Sequence, residues 1–453
     1  MELPGYFLAD LPPEAELSPA MIAEACQALK RNREKHLASR STTDIVKILA
    51  EIAVEWRQPE NKFRKLALEF GPAATGFSRA VLERGLDKFF AQLTPENFQA
   101  LLTQEFGETQ RLDAFAANPL EGNPERQAMA VGPEFLVHIA AGNLPNPALM
   151  SLTLGLLTRS AQFMKCASGA SFIPRLFAHS IYEADRKLGA CLELAEWRGG
   201  NTALEDALFA DANCLTATGS DETLTAIRSR LPPKARFLGY GQRVSFGYVA
   251  REVLRNDGIA EVVSRVADDV VAWDQNGCLS PHCFYVEERG EVESDQFAVL
   301  LAAELMRREQ AEPRGQISVE ASAAIASRRN IYEALLAHRG DIKIWSSQAS
   351  TAWTVVFEHQ VRFHFSPLNR FVFTKPVPDL TAVFAGIDDL HGKVSTVGIA
   401  APPEKMKILA GQFARWGATR ICPLGQMQNP PLTWRHDGRP ALGDLITWAD
   451  MEA

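Results

Sequence analysis

Apolar positions recur at helical spacing through the first 120 residues or so. Ser18-Pro19 reads as an N-cap followed by proline at the first helical position, and opens a helix running to about residue 39. Thr42-Thr43-Asp44 opens the next, in which Ile45, Ile48, Leu49, Ile52 and Ala53 fall on one face. Further amphipathic segments follow near 61–69, 77–92 and 95–105. None carries a pattern of reactive side chains, and all read as scaffold.

From Ala128 the texture changes to short apolar runs that end in turn-forming residues. Phe135–Ala141 is strand-like and stops at Gly142-Asn143-Leu144-Pro145-Asn146-Pro147. A nearly all-apolar helix over 148–158 follows, then a strand over Ala161–Ser168 that contains Lys165, and a helix over 172–188. Cys214–Ser220 is a third strand with the exit Thr218-Gly219-Ser220, followed by a helix over 221–231. Arg236–Gly241 is a fourth strand, ending in Gly239-Tyr240-Gly241. Such alternation predicts a parallel α/β sheet that binds ligands where strands end in loops. A second α/β portion spans about 245–405, with helices near 295–309 and 319–338 and β-rich pieces at 350–357 and 370–375. The chain therefore divides at about 1–125, 126–245, 246–405 and 406–453. The last segment holds a helix from 406, a strand near 419–425 and a tail rich in Pro, Trp and His.

The chemistry points to Asp274-Gln275-Asn276-Gly277-Cys278-Leu279-Ser280-Pro281-His282. This loop lies between Val270-Val271-Ala272-Trp273 and Cys283-Phe284-Tyr285-Val286, each with the length and composition of a buried strand. Gly277 removes bulk beside the Cys278 sulfur, so a thiol there can meet a substrate and be ringed by backbone N–H groups. Against this stands the bland alternative, a free cysteine acting as a small core hydrophobe. His282 reads the same two ways, as a group tuning the thiol or as a strand-end histidine bonded to backbone. No G-x-G-x-x-G occurs, so the ordinary dinucleotide fingerprint is absent, and Gly219-Ser220 opening a helix is a weak anion signal alone.

Composition narrows the class. With 46% hydrophobic and 23% charged residues, the 453-residue chain is of ordinary globular type, long enough for two or three domains. A net charge of −8 argues against a general nucleic-acid binder. No run approaches about 20 apolar residues, so no membrane span is expected. The start, Met1-Glu2-Leu3-Pro4-Gly5, is acidic where a secretory signal is basic. Seven cysteines form no CxxC pair and nine histidines no HExxH pattern, so a reduced, cytoplasmic protein without a metal site is expected.

The order of these pieces over about 130–453 resembles the aldehyde dehydrogenase superfamily, specifically its LuxC-type acyl-CoA reductases. Gly142-Asn143-Leu144-Pro145 looks like the superfamily turn whose asparagine amide holds the oxyanion. Lys165 looks like the lysine that contacts the cofactor's adenosine ribose, and Thr218-Gly219-Ser220 like the Gly-Ser that meets the pyrophosphate. Gly277-Cys278-Leu279-Ser280-Pro281 looks like the LuxC nucleophile loop. Pro423-Leu424-Gly425 with Trp434-Arg435-His436-Asp437-Gly438 is similar to that family's C-terminal signature. The resemblance implies an α/β fold with a Rossmann-type nicotinamide-dinucleotide domain over 126–245, a catalytic domain over 246–405 and a helical region before them. By the same resemblance, the segment from 406 returns to the cofactor domain or to an oligomer interface.

The departures matter as much. Ordinary aldehyde dehydrogenases carry a glutamate that activates water in a Glu-Leu-Gly-Gly segment. Here that region reads Phe237-Leu238-Gly239-Tyr240-Gly241-Gln242-Arg243, and no Asp or Glu stands between Glu222 and Glu252. An acyl-thioester on Cys278 should then resist water and wait for reduction. The expected reaction is reduction of an acyl-CoA or acyl-protein thioester to an aldehyde, with Cys278 and Asn143 catalytic. Cofactor contacts are expected from Lys165, Ser168, Thr218, Gly219, Ser220, Gly239 and Gly241. Ser168 stands where NAD-preferring relatives often place glutamate, so NADPH is expected, with NADH as the alternative. The resemblance further implies a homo-oligomer and an acyl-protein synthetase partner. An aldehyde-oxidising enzyme of the same fold, or a non-catalytic acyl-binding subunit, are the competing readings.

Overall fold

The computed structural model describes residues 3–452 apart from 13, 123, 124 and 339. Met1, Glu2 and Ala453, which belong to the terminal segments read above, lie outside them. Five helices come first: Pro19–His36, Thr42–Trp56, Lys62–Thr75, Arg79–Ala91 and Pro95–Phe106. The Ser18 hydroxyl accepts the Met21 N–H at 3.3 Å with Pro19 in the first turn, as the sequence indicates. The second helix is capped one residue earlier than expected, by Ser41.

The strands are β1 (Gln127–Val131), β2 (Phe135–Ile139), β3 (Ala161–Cys166), β4 (Leu192–Glu196), β5 (Cys214–Thr218) and β6 (Arg236–Tyr240). They continue with β7 (Val244–Val249), β8 (Pro281–Glu287), β9 (Ile342–Ser346), β10 (Thr354–Glu358), β11 (Phe371–Val377), β12 (Val394–Ala400), β13 (Arg420–Pro423) and β14 (Thr447–Met451). Strands β2–β6 form one parallel sheet in the order 4-3-2-5-6. A second sheet runs 13-12-7-8-11-10-9, parallel except for β9 at its edge. β1 and β14 make an antiparallel ribbon, Gln127 opposite Met451.

Hydrophobic packing joins the helical region to the first sheet from both sides. Ile22, Cys26 and Leu29 bury against Phe135, Val137, Phe163 and Leu215 on one face. The next four helices bury Ile45, Leu49, Trp56 and Phe90 with Leu149, Met164 and Phe177 on the other. Each large apolar side chain enclosed this way contributes on the order of 2 kcal/mol. Within β2, buried His138 bonds Thr216 Oγ1 at 2.7 Å and Gln162 Oε1 at 3.0 Å. Burial pushes its imidazole down to about 4.

The structure corrects several expectations. Val270 and Val271 end a helix, Ile259–Val271, and Ala272 and Trp273 belong to the tight turn after it, so this run is no strand. The reason is visible upstream, where Val263, Val266, Ala267, Val270 and Val271 recur at helical spacing on the buried face. β4 was not foreseen, since Leu192-Glu193-Leu194-Ala195-Glu196 carries two glutamates in five residues at a sheet edge. β7, β9 and β12 were likewise unforeseen. After residue 405 the chain first adds β13 to the second sheet, and only then returns to the first. There Arg236 donates to the carbonyls of Asp444 (2.9 Å) and Ile446 (2.5 Å).

Candidate active site

Three consecutive non-glycine residues before the reactive loop, Trp273, Asp274 and Gln275, adopt left-handed backbone with φ of 51°, 50° and 64°. Each such residue costs about 1–2 kcal/mol, so the surroundings must hold it. The Trp273 indole is seated among Leu68, Phe77, Val81 and Leu82 of the N-terminal helices. Gly85 makes room for it: a Cβ there would stand 2.1 Å from an indole carbon. A second left-handed triplet, Leu368, Asn369 and Arg370 (φ of 63°, 56° and 65°), lies opposite. Arg370, fully buried, donates from Nε to Asp274 Oδ1 at 2.9 Å, with its Nη2 in ion-pair contact with the same oxygen at 2.7 Å. The Gln275 amide donates to the carbonyls of Pro281 and Phe371, both at 2.8 Å, and Asn276 donates to Asn369 Oδ1 at 3.3 Å. The two triplets are thus zipped together residue by residue.

This frame presents Cys278. It is exposed, whereas the other six cysteines are buried. Ser245, on β7, accepts the Thr396 N–H at 3.1 Å and donates to the Cys278 carbonyl at 2.8 Å. The Ser280 N–H reaches the Gly277 carbonyl at 2.9 Å, the Gly277 N–H reaches Ser280 Oγ at 3.2 Å, and the Gln428 amide donates to the same hydroxyl. Gly277 is needed for space: a Cβ would stand 2.4 Å from the Gln428 amide nitrogen and 2.9 Å from Leu144 Cδ1. Dense protein around the cleft pushes the Cys278 thiol up to about 11, and the Asp437 carboxylate adds to the rise. The N–H groups of Cys278 and Leu279, then Arg420, pull it back. Neither of those N–H groups bonds a backbone carbonyl, so both remain directed at the sulfur.

Asn143 reaches this loop from the first sheet, where it follows the end of β2. Its side-chain amide donates to the Asn276 carbonyl at 2.8 Å. An amide carries two hydrogens, and the second has no partner among the described residues. The exposed thiol and the Asn143 amide are thus tied to one loop, the amide at the carbonyl two residues upstream of Cys278. That is the equipment for attack on a carbonyl with the oxygen held as an oxyanion.

The other expected residues lie along the same edge, at the C-terminal ends of β3, β5 and β6 around β2. The amine of Lys165, whose side chain is mostly buried, lies over the Trp197 ring at 5.9 Å and forms no hydrogen bond or ion pair with any described residue. Burial pushes that amine down. Ser168 is exposed in the loop just after it. Ser220 caps the helix Asp221–Arg230 by accepting the Thr223 N–H at 3.3 Å. The Gly219 N–H, however, is spent on the Tyr240 carbonyl at 3.2 Å, and Asp221 and Glu222 sit in the helix's first turn, offsetting its positive end. Gly239 and Gly241 allow close approach: a Cβ would meet the Phe237 ring at 2.9 Å and Asp221 Oδ1 at 2.6 Å. Lys165 thus brings an ammonium without a partner among the described residues to an open strand-end loop.

A profile of the family described as acyl-CoA reductase (LuxC) matches residues 37–448. The chain belongs to this acyl-CoA reductase family. Its relatives include a long-chain acyl-protein thioester reductase 2 from Photobacterium leiognathi and a long-chain acyl-protein thioester reductase from Aliivibrio fischeri. Each is 23% identical over 322 residues, 70% of this chain and 63% of the relative. The aligned part thus spans less than two thirds of those relatives' length. Among solved structures, a bifunctional proline utilization A protein superposes with a TM-score of 0.71 at 17% identity, over 96% of this chain and 45% of the other. The Δ-pyrroline-5-carboxylate dehydrogenase from Mycobacterium tuberculosis gives 0.68 at 14% identity, over 96% and 83%. These likenesses establish the aldehyde dehydrogenase fold.

Within this LuxC-family frame, three groups escaped the sequence reading. Asp437 comes from the C-terminal signature loop and accepts from Arg243 at 3.3 Å. Neighbouring His436 is stacked on Tyr240 (4.5 Å, 9° between planes) and lies against Trp434 (4.6 Å). The Asp437 carboxylate thus raises the Cys278 thiol from the C-terminal loop, although no carboxylate occurs between Glu222 and Glu252. Glu196, at the end of β4, accepts the Gly169 N–H at 2.6 Å, next to Ser168. Gln428 braces the cysteine loop as described. His282 takes its backbone-bonded alternative: its Nδ1 accepts the Ser366 N–H at 3.0 Å, and burial pushes the ring down to about 4.

Proposed function

We propose that this protein reduces an acyl thioester to an aldehyde through an acyl-Cys278 intermediate. The observation that carries the reading is the exposed Cys278 in a loop whose Asn276 carbonyl, two residues upstream, holds the Asn143 amide reaching over from the first sheet. Cys278 Sγ bonds the thioester carbon and releases the donor thiol. The Cys278 N–H and the Asn143 amide hold the carbonyl oxygen as it gains charge, each worth about 3 kcal/mol. A nicotinamide, when bound, would supply hydride to the acyl carbon, which becomes an aldehyde only as its bond to Sγ breaks. Cys278 then departs as the leaving sulfur and is restored.

For the cofactor we propose NADPH as the better reductant. Lys165 offers an unpaired ammonium, and Ser168 leaves room for a 2′-phosphate. Glu196 is the opposing charge at this end, and its engagement with Gly169 weakens the opposition without removing it. Lys165, Ser168 and Ser220 would hold the nucleotide. Thr218, Gly219, Gly239 and Gly241 would shape its bed.

The relatives' names point to a long-chain acyl-protein thioester as donor, and hence to an acyl-protein synthetase as the partner that supplies it. We also propose a homo-oligomer, since the β1–β14 ribbon exposes Val131, Trp448 and Met451 on its apolar positions. A reducing cytoplasmic setting fits seven cysteines that are all free. No described helix is long and apolar enough to cross a membrane.

The test is incubation with a radiolabelled long-chain acyl-CoA, peptide mapping of the adduct, and aldehyde assay after addition of NADPH. Adduct on Cys278 and aldehyde release are expected. Absence of adduct in wild type, or an undiminished adduct in Cys278→Ala, overturns the reading. Aldehyde oxidation on the same fold is the second reading, and aldehyde consumption with NADP⁺ without a thiol acceptor would favour it.

A further inference from the structure

We infer that Asp269 is a positioning residue for the chemistry at Cys278: it holds the turn over 425–428, and through Gln428 it fixes the cysteine loop. This rests on the proposed acyl-Cys278 reading and gives a task to the stretch that begins at Pro423-Leu424-Gly425.

Asp269 lies on the helix Ile259–Val271, four residues before Trp273, the first of the left-handed residues that lead to Cys278. It is 1% exposed and shares the buried face with Val263, Val266, Val270 and Val271. A carboxylate enclosed among valines is costly unless both of its oxygens are bonded. Both are bonded, to backbone more than 150 residues further on: Oδ2 accepts the Gly425 N–H at 2.6 Å and Oδ1 the Met427 N–H at 2.9 Å. Arg420, on β13, grips the same turn by donating to the Met427 carbonyl at 2.6 Å and the Gln426 carbonyl at 2.8 Å. Gly425, Gln426 and Met427 are thus each held at the backbone by a buried charged side chain. Gly425 itself is left-handed (φ 90°), which lets the chain reverse there.

The next residue, Gln428, touches the reactive loop. Its amide donates to Ser280 Oγ, the hydroxyl that accepts the Gly277 N–H at 3.2 Å, while the Ser280 N–H closes on the Gly277 carbonyl at 2.9 Å. Cys278 and Leu279 are the two residues that this turn encloses. Gln428 also fills the space beside Gly277, where a side chain would collide with it. Any shift of the 425–427 backbone therefore moves the clamp on the turn that carries the sulfur.

The grip depends on proton occupancy. Burial pushes the Asp269 carboxyl up to about 7; the Gly425 and Met427 N–H groups and then Lys88 pull it back, and Asp268 adds to the rise. Lys88 faces it from the helix Arg79–Ala91, Asp268 from its own helix, and Arg420 and Cys422 from β13. Cys422 is pushed up to about 12 and stays neutral near pH 7. Above about pH 7 the carboxylate accepts both N–H groups. Below it, one oxygen carries a proton and accepts less well, so one backbone N–H loses its hold.

Single-turnover release of CoA from acyl-CoA, without reductant, reads acylation of Cys278 in the full-length protein. In wild type the rate should break downward below about pH 7, more steeply than ionisation of the thiol alone requires. Asp269→Asn sets an NH₂ against one of the two N–H groups, so it should acylate about 10-fold more slowly above the break and lose the break. Gln428→Ala removes the contact through which Asp269 acts and should show both changes, and the double variant should be no slower than the slower single one. Additive losses in the double variant, a wild type without a break, or a break that survives in Gln428→Ala overturns the inference. Should Asp269→Asn fail to fold, the wild-type and Gln428→Ala profiles decide alone. A wild type that forms no Cys278 adduct overturns the thioester reading. Alkylation of Cys278 by iodoacetamide then takes the place of acylation, with the same break and the same loss of it in Gln428→Ala expected, and its survival in that variant overturning the role of Asp269.

Discussion

Arg370 and Asp274 form a buried ion pair that ties two left-handed triplets on either side of the reactive cysteine loop. Arg370 also bonds Glu309 at 2.9 Å and the Glu312 carbonyl at 2.8 Å, so it satisfies three residues from two segments. Burial raises the Asp274 carboxyl, and Arg370 works against that rise. Arg370→Met leaves Asp274 and its neighbours without their donor, which costs about 3–5 kcal/mol. The denaturant midpoint should fall accordingly, and iodoacetamide labelling of Cys278 should lose its single rate. Asp274→Asn combined with Arg370→Met should recover part of the loss. A midpoint for Arg370→Met equal to wild type would show that the triplets hold without the pair.

The N-terminal helices act on the same loop through Gly85. Its missing side chain admits the Trp273 indole, and the first left-handed residue is thereby seated. Gly85→Ala should make its own helix intrinsically better by about 1 kcal/mol. The clash with Trp273 outweighs that, since overpacking of this kind costs about 1–3 kcal/mol. Acylation of Cys278 should slow at least about tenfold, while far-ultraviolet circular dichroism stays unchanged. Acylation at the wild-type rate would mean that Trp273 does not hold the loop.

These two cases show what could and could not be read from the chain. The turns that hold Asn143 and Cys278 were legible from their glycine, asparagine and proline content, while the role expected of Asn143 came from the resemblance. Lys165 and Ser220 were legible for the same reason, as polar ends of apolar strands. Gly85 looked like an ordinary helical residue, because its partner lies in another domain. Trp273, Asp274 and Gln275 gave no sign of left-handed backbone, since no glycine marks it and tertiary contacts enforce it.

The Arg243–Asp437 pair was not legible, because its partners stand far apart in the sequence and meet only in the fold. Its signature stretch, Trp434 to Gly438, was noticed without a role. The stacking of His436 between Tyr240 and Trp434 supplies the missing geometry. Glu196 escaped together with β4, whose glutamates disguised the strand.

On the proposed cofactor reading, the choice between NADPH and NADH turns on Glu196, at the end of β4, and Ser168, just after the end of the adjacent β3. Ser168→Glu adds a negative charge beside Lys165 and should lower kcat/KM for NADPH at least about tenfold while sparing NADH. Glu196→Gln removes the negative charge on Gly169 and should raise the NADPH to NADH ratio severalfold. Steady-state kinetics with both nucleotides measures both shifts. A ratio that neither substitution moves would place recognition of the adenosine end elsewhere.

The last prediction concerns acid stability and turns on His138. Its Nδ1 accepts from the Thr216 hydroxyl, and its Nε2–H donates to Gln162 Oε1, so the folded protein holds a neutral ring. Burial depresses its pKa from about 6.5 to about 4. Between those values the unfolded chain binds a proton that the folded chain refuses, so stability falls as pH drops through this window. It is fully present above about pH 6.5. The integrated loss from one fully buried histidine shifted this far is on the order of 3 kcal/mol. Denaturant unfolding at pH 7, 6, 5 and 4 should show that decline, and His138→Gln should flatten it while lowering stability at pH 7. An equally steep decline in His138→Gln would assign the acid sensitivity to other groups, His282 first among them, since burial also pushes its ring down to about 4.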